Sequence, residues 1–316
     1  MFESIGFNFL QVIVVLFLSP LLKGILSRWK ERLQSKKGPS IFQVYYDIWK
    51  LFHKDQVFSH TSTWIFRFTP YLVFVAPIFV TLLIPVLTAY PLFFAFMGDM
   101  VGGGFVLALA GFFASLAAVD TSNPYGAMGA SRTRMVSFLA EPVFMMVFFT
   151  VAFVAGSTIP YIVQQYWVAS PSNFLAPSHV LVVVAFFMLI VAETGSIPVD
   201  NPSGHFELAM IDESKSLEYS GKGAALMKWG SAMKLYVLFS IFSNVLVAPW
   251  GLAVDREIGS VLLAIPVTFL KLLVVGAVLV IVESSFSKLR LFRITEFLGV
   301  AFIVSIAAVL TRLLEF

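Results

Sequence analysis

Long apolar runs alternate with polar breaks along this chain, and the runs are of membrane-crossing length. They fall near residues 7–27, 68–90, 100–120, 138–159, 177–197, 229–252, 258–283 and 295–314. A run of roughly 20 apolar residues crosses the hydrocarbon core as an α-helix with its backbone hydrogen bonds satisfied internally. The pattern predicts an all-α polytopic membrane protein with about eight transmembrane helices, forming one integral membrane domain over residues 1–316.

The polar breaks are unequal. The first loop, within 28–67, holds Arg28, Lys30, Arg32, Lys36, Lys37, Lys50, Lys54 and Arg67. The third holds Arg132 and Arg134, the fifth Lys215, Lys222 and Lys228, and the seventh Lys288, Arg290 and Arg293. The even loops are short and bland, with Arg256 their one basic residue. By the positive-inside rule the odd loops are cytoplasmic and both termini lie outside a cell inner (plasma) membrane. In the first loop Gly38-Pro39 breaks the chain, and Ile41, Val44, Tyr45, Ile48 and Phe52 then recur at helical spacing. That spacing predicts an amphipathic helix at the interface, which at its simplest is a surface anchor in the lipid bilayer. The fifth loop, 193–228, is acidic and longer than a simple connection needs.

Composition extends this picture. The chain is 59% hydrophobic and 12% charged, against roughly 25% charged in soluble domains, so lipid is its main solvent. Its first apolar run lacks a basic leader and a small-residue cleavage site, and reads as a retained helix. The absence of cysteine excludes disulfides, iron–sulfur ligation and a thiolate nucleophile. The four histidines are scattered without metal-ligand spacing. No cofactor is expected in this chain, so any redox centre belongs to another polypeptide. There is no phosphate-binding or dinucleotide fingerprint, and Gly102-Gly103-Gly104 reads as a turn or a close-packing feature. Basic residues interleaved with acids do not suggest nucleic acid, and no nucleophile–base pair supports a hydrolase.

Candidate chemistry lies in charges placed in or beside the spans, where they are costly. Glu141 precedes Pro142, and Glu193 and Asp200 bracket the end of span five, where Pro198 and Pro202 break the helix. Glu207, Asp212, Glu213 and Glu218 follow; Lys234 opens span six, Lys271 lies within span seven and Glu283 at its end. Acids crowded in low dielectric hold protons more tightly and can relay them. Each alone could equally mark a helix end and snorkel to water. Asp212 and Glu213, in the most hydrophilic stretch, read as solvated. Lys271 needs a carboxylate, a carbonyl or water.

Several linked motifs resemble a known family. Ala192-Glu193 through Pro198-Val199-Asp200, then Glu207-Leu208 and Leu217-Glu218-Tyr219-Ser220-Gly221, are similar to the signature of the complex I subunit 1 (H subunit) family. Gly129-Ala130-Ser131-Arg132 with Glu141, and Lys37-Gly38-Pro39 with Gln43, Asp47 and Lys50-Leu51, are similar to its third-loop and first-loop patterns. The chain departs from complex I members in a shorter first loop, in Ser203 and His205 where acids are usual, in Lys228-Trp229 near the start of span six, and in Glu283 where Arg is usual. With Asp120-Thr121, Met227-Lys228-Trp229-Gly230 and Lys288-Leu289-Arg290, these departures resemble the membrane-anchor subunits of group 4 energy-converting hydrogenases, among them those of formate hydrogenlyase and hydrogenase-4 complexes.

The resemblance implies a subunit that docks hydrogenase small and large subunits, carrying the [NiFe] centre and iron–sulfur clusters, and joins antiporter-like membrane subunits. It implies an ion-coupling path through Glu141, Glu193, Asp200, Glu207 and Glu218, to which Lys271 and Glu283 are added as intramembrane charges. It implies docking near Gly38, Pro39, Gln43, Asp47, Lys50 and Arg132. Other readings are a quinone-site subunit of complex I, an anchor of a sulfur-reducing membrane complex, a stand-alone ion transporter, and a pure anchor.

Overall fold

A computed structural model of the chain describes residues 2–91, 94, 98–200 and 211–314. Ten α-helices follow one another among these residues: α1 (Phe2–Leu33), α2 (Gln43–Phe52), α3 (Trp64–Leu83), α4 (Met100–Asp120), α5 (Pro124–Ala155), α6 (Pro160–Ala169), α7 (Pro177–Glu193), α8 (Gly221–Ser240), α9 (Ile258–Ser285) and α10 (Leu291–Leu314). A π-helical segment, Ile241–Val247, prolongs α8. Seven helices, namely α1, α3, α4, α5, the prolonged α8, α9 and α10, are long and apolar enough to cross a membrane. The eighth expected span, α7, is an apolar helix of 17 residues, about 25 Å long and at the short limit for a crossing. It packs between α5 and α10. The chain is an all-α, multi-pass membrane protein.

Local chemistry sets the helix ends. Thr63 caps α3 by accepting from the Ile65 amide, and the Asp120 carboxylate holds Thr63 through its amide (2.7 Å) and hydroxyl (3.0 Å). Pro85 follows the Ile84 C-cap and ends α3 seven residues earlier than the apolar run suggests. The Asn123 side chain caps α5 and Pro124 occupies its first turn. The Gly129–Arg132 motif is therefore helical, not a loop. Gly102, Gly103 and Gly104 are helical too, and Gly104 packs on the Phe144 ring.

The expectation of bland even loops is corrected. The fourth contains α6 and the 3-10 turn Pro171–Leu175, with Tyr161, Gln164 and Trp167 buried. The second and sixth loops meet in a short parallel bridge, Thr88 to Ala253. The sequence signal is weak because these residues are buried by neighbouring helices, not by a periodicity of their own.

Prolines inside the spans organise the rest. Each removes an amide donor and releases the carbonyl four residues earlier. Pro20 in α1 releases Leu16, whose carbonyl accepts from the Trp229 indole of α8 at 3.0 Å. Pro70 in α3 releases Phe66, whose carbonyl accepts from the Tyr219 hydroxyl at 3.0 Å. The two rings stack with centroids 4.1 Å apart. Pro77 releases Val73, and there α8 presents Gly230, where a Cβ would come within 2.6 Å of that carbonyl.

Replacing Tyr219 by Phe keeps the stacked ring but leaves the Phe66 carbonyl without its donor, an expected cost of about 1–3 kcal/mol. Hydrogen exchange over residues 211–221 should quicken accordingly. Pro70→Ala restores the helix's own donor, so the same Tyr219→Phe change should then cost markedly less in a double-mutant cycle.

Candidate functional site

The charged ends of α1, α7, α8 and α9 surround one cavity of about 660 Å³, closed over by α2 and the residues that precede it. It exists because α7 stops early. Glu193 ends the helix, Gly195 takes a positive φ of 61°, and a cis Ile197–Pro198 bond follows. Elements that would otherwise drift apart are tied by ion pairs. Lys30 of α1 meets Glu283 of α9 at 3.5 Å, Lys228 of α8 meets Asp47 of α2 at 2.5 Å, and Lys234 of α8 meets Glu193 at 2.6 Å. Lys288 of the last loop meets Asp200 at 3.1 Å. Removing one partner of a buried pair costs about 3–5 kcal/mol, and Asp200 (1% exposed) and Glu283 (7%) qualify.

Asp200 is a staple. Beyond Lys288, its carboxylate accepts from the Ile211 amide at 3.1 Å and the Asp212 amide at 2.8 Å. The turn that follows is seated on α5: Thr133 donates to the Ile211 carbonyl at 2.9 Å. A Cβ on Gly129 would overlap the Ser214 hydroxyl at 1.6 Å, which is why the motif opens on glycine.

Asp212 faces the cavity and bonds Lys215 at 2.5 Å. Its side chain is 44% exposed, and its nearest charge is Lys215, three residues on in the sequence. Burial alone would push its carboxyl up, but the charges of Lys215, Lys234 and Lys23 and the Lys215 hydrogen bond outweigh burial and hold it below the usual carboxylate range. Asp47 behaves alike. Burial is again opposed, and outweighed, by hydrogen bonds from Lys228 and Gln43 and by the charges of Lys228 and Lys50.

A second, smaller cavity of about 70 Å³ adjoins the first and reaches Glu141 on α5. The two share Glu193, Asp200, Asp212, Lys215 and Lys234 as wall, while Thr133 and Ser137 line the smaller one beside Glu141. Space of this size admits water between polar partners. Glu141, Lys234 and Glu193 thus border the same small cavity, whose remaining wall is largely apolar.

The structure divides the expected set. It gathers Glu141, Glu193, Asp200 and Glu283 around the cavities, with Pro39, Gln43 and Asp47. Gly38 packs against the last turns of α1 at Arg28 and Glu31. Lys50 is exposed on α2, and Arg132 is half-buried on α5. Glu218 stands apart; it is exposed and accepts from Asn123, the cap of α5. Lys271 is at the other end of the bundle, where its ammonium meets the Ala248 carbonyl at 2.8 Å, Asn244 at 3.3 Å and the Trp250 carbonyl. Carbonyls, not carboxylates, receive it. Glu207 lies outside the described residues. Lys23, which donates to Ser231 at 3.1 Å and lines the large cavity, was missed because it sits inside the first apolar run. A polar stripe on one face of α1 is its only sequence signal. Among the described residues no group of three or more His, Asp or Glu could hold a metal ion.

A family model described as NADH dehydrogenase matches residues 6–313. Formate hydrogenlyase subunit 4 of Escherichia coli (strain K12) is 34% identical over 91% of this chain and 92% of its own. Hydrogenase-4 component C of the same organism is 32% identical over 90% and 88%. In fold, a chain of the membrane-bound sulfane sulfur reductase, an archaeal respiratory membrane complex, superposes with a TM-score of 0.82 at 21% identity, covering 97% of this chain and 98% of that one.

Acid should loosen α2 in a defined window. The depressed carboxyl of Asp47 contributes its tie to Lys228 fully above the ordinary value of 3.8 and loses it as pH falls through the lower folded value. Amide protection of α2 is expected to stay level from pH 8 to 5 and to drop only below about 4. In Lys228→Met the acid-dependent step should vanish from the exchange profile.

Proposed function

We propose that this chain, which belongs to the NADH dehydrogenase family of complex I subunit 1-like membrane proteins, is the anchoring and ion-coupling subunit of a hydrogenase-type complex. The curated relatives carry the names of formate hydrogenlyase and hydrogenase-4 components, which favours hydrogenase small and large subunits as the docked redox arm. The [NiFe] centre and iron–sulfur clusters then belong to those partners, and antiporter-like subunits adjoin within the membrane. The charge asymmetry of the loops favours a cytoplasmic face for the cavity.

The observation that carries the reading is Lys234. Its ammonium is bonded to Glu193 at 2.6 Å while Asp212 shares the same cavity wall and feels its charge. A lysine between two carboxylates can change partner when a nearby charge changes. Movement toward Asp212 would leave Glu193 uncompensated beside the smaller cavity and raise its demand for a proton, which Glu141 is placed to relay. Redox events on a docked arm would supply the changing charge, because Asp212 and Asp47 line the cavity under that face. This makes the chain a coupling element without a reaction centre of its own. The larger cavity is walled by apolar side chains as well as charges, among them Leu26, Val73, Leu107 and Leu279, so a quinone-site subunit is the second reading.

In the assembled complex, reconstituted in vesicles, Glu193→Gln and Lys234→Met are expected to slow ion movement on the order of 100-fold, the scale of losing a positioned proton-transfer group. Subunit assembly, followed by native gel and by nickel and iron content, should persist. Ion movement unchanged by Glu141→Gln and Glu193→Gln together would sink the coupling role and leave an anchor.

A further inference from the structure

The half of the bundle away from the cavities contains buried polar atoms that find no protein partner among the described residues. On α1 these are both amide atoms of Asn8, the side-chain carbonyl of Gln11 and the hydroxyl of Ser19; on α8 it is the hydroxyl of Tyr236. All four side chains are at most 1% exposed. Polar groups buried in this way are costly unless something bonds to them, and four on one seam point to a common occupant. Ordered water, which typically makes about three hydrogen bonds in such places, fits their mixed donors and acceptors.

The helical register places them in line. Asn8 and Ser19 are eleven residues apart, close to three full turns, and eleven more residues lead to Lys30. Lys30 and Lys23 already line the large cavity, so the stripe begins there. The bond from the Trp229 indole to the Leu16 carbonyl fixes the antiparallel register of α8 against α1. Seven residues further along α8, about 10 Å, Tyr236 returns to nearly the same face, level with Asn8 and Gln11. Gln11 donates to the carbonyls of Thr81 (2.5 Å) and Ile84 (3.0 Å). Two turns beyond Tyr236, Asn244 donates to the neighbouring carbonyls of Pro85 and Val86 and accepts from Lys271. Lys271 in turn meets the carbonyl of Trp250, a residue exposed at the far end of the bundle.

We infer that the charged cavity continues across the bundle as a file of water past Ser19, Tyr236, Gln11 and Asn8, with Lys271 and Asn244 at its far mouth, and that this file carries protons. The file follows α1 and α8, whereas the Glu193–Glu141 region lies between α4, α5, α7 and α8. Lys271 thereby stands at the far mouth of the file, held by Asn244 and by the carbonyls of Ala248 and Trp250. The inference takes from the proposed function only that protons move through this subunit.

X-ray radiolytic footprinting of the assembled complex in nanodiscs tests the water directly, because radicals form from water next to a side chain. Tyr236 should be modified at a rate near that of exposed Tyr46, and many-fold faster than Phe148 and Phe186, which are fully buried among apolar neighbours. Ser19→Leu should protect Tyr236 and lower proton movement per turnover several-fold in vesicles. The milder Ser19→Ala, which leaves space for water, should retain labelling and proton movement, separating blockage from misfolding. Tyr236 as protected as Phe186 overturns the file. A labelled Tyr236 whose protection by Ser19→Leu leaves proton movement unchanged overturns its role as a conductor. Loss of conduction in Ser19→Leu with none in Glu193→Gln would strike the coupling reading while leaving this one standing.

Discussion

A backbone carbonyl that loses its helical donor at membrane depth must find another donor within the protein, because lipid offers none. Much of this structure follows from that constraint. Prolines in α1 and α3 release carbonyls at Leu16 and Phe66, and the donors that arrive are Trp229 and Tyr219. The irregular ends of α3 and α8 release several more, answered by Gln11, Tyr161, Asn244 and Lys271. These bonds run between residues far apart in sequence, so they tie spans and loops together while they satisfy the backbone. Tyr219 is typical: it fixes the acidic loop on α3 and thereby fixes where Asp212 and Lys215 can point.

Charge obeys the same accounting with larger stakes. A short α7 leaves Glu193 inside the bundle instead of beyond it, and the chain meets that cost with Lys234 from the next span. Asp200, nearly sealed from solvent, is met by Lys288 and two amides. The pairs differ in rigidity. Asp200 has both carboxylate oxygens engaged by a lysine and two backbone donors, which suits a staple. Glu193 is bonded through one oxygen to a lysine on a flexible stem, at the border of two cavities. A carboxylate held by three donors and one held by a single lysine therefore stand side by side.

The sequence made the membrane architecture legible because apolar run length is a direct consequence of bilayer thickness. The amphipathic α2 was legible from its spacing, and Glu141 and Glu193 from the cost of placing acids near apolar spans. What stayed hidden was partnership. Nothing near Asp47 in sequence points to Lys228, and nothing near Glu283 points to Lys30, since both bonds depend on how separate helices are arranged. Glu218 and Lys271 stood with Glu193 in the expected ion-coupling set; packing put one on a helix cap and the other among carbonyls. The buried fourth loop escaped for a related reason. It read as short and bland, while Tyr161 and Trp167 owe their burial to neighbours that no local pattern names.

The proposed coupling role gives the density of ion pairs a purpose. In that proposal the subunit transmits the consequence of a partner's reduction if its charges are close to balance, because a small external change then decides which carboxylate a lysine serves. Strong, sealed pairs could not respond, and exposed pairs would be screened before they did. Lys234 and Glu193 lie between these limits, with side chains 28% and 23% exposed to an internal cavity. That intermediate exposure is supplied by the early end of α7 and by the fold of the loop under α2. Under the proposed role the broken helix and a shifting charge are one feature: the backbone irregularity makes the cavity, and the cavity gives the pair room to shift.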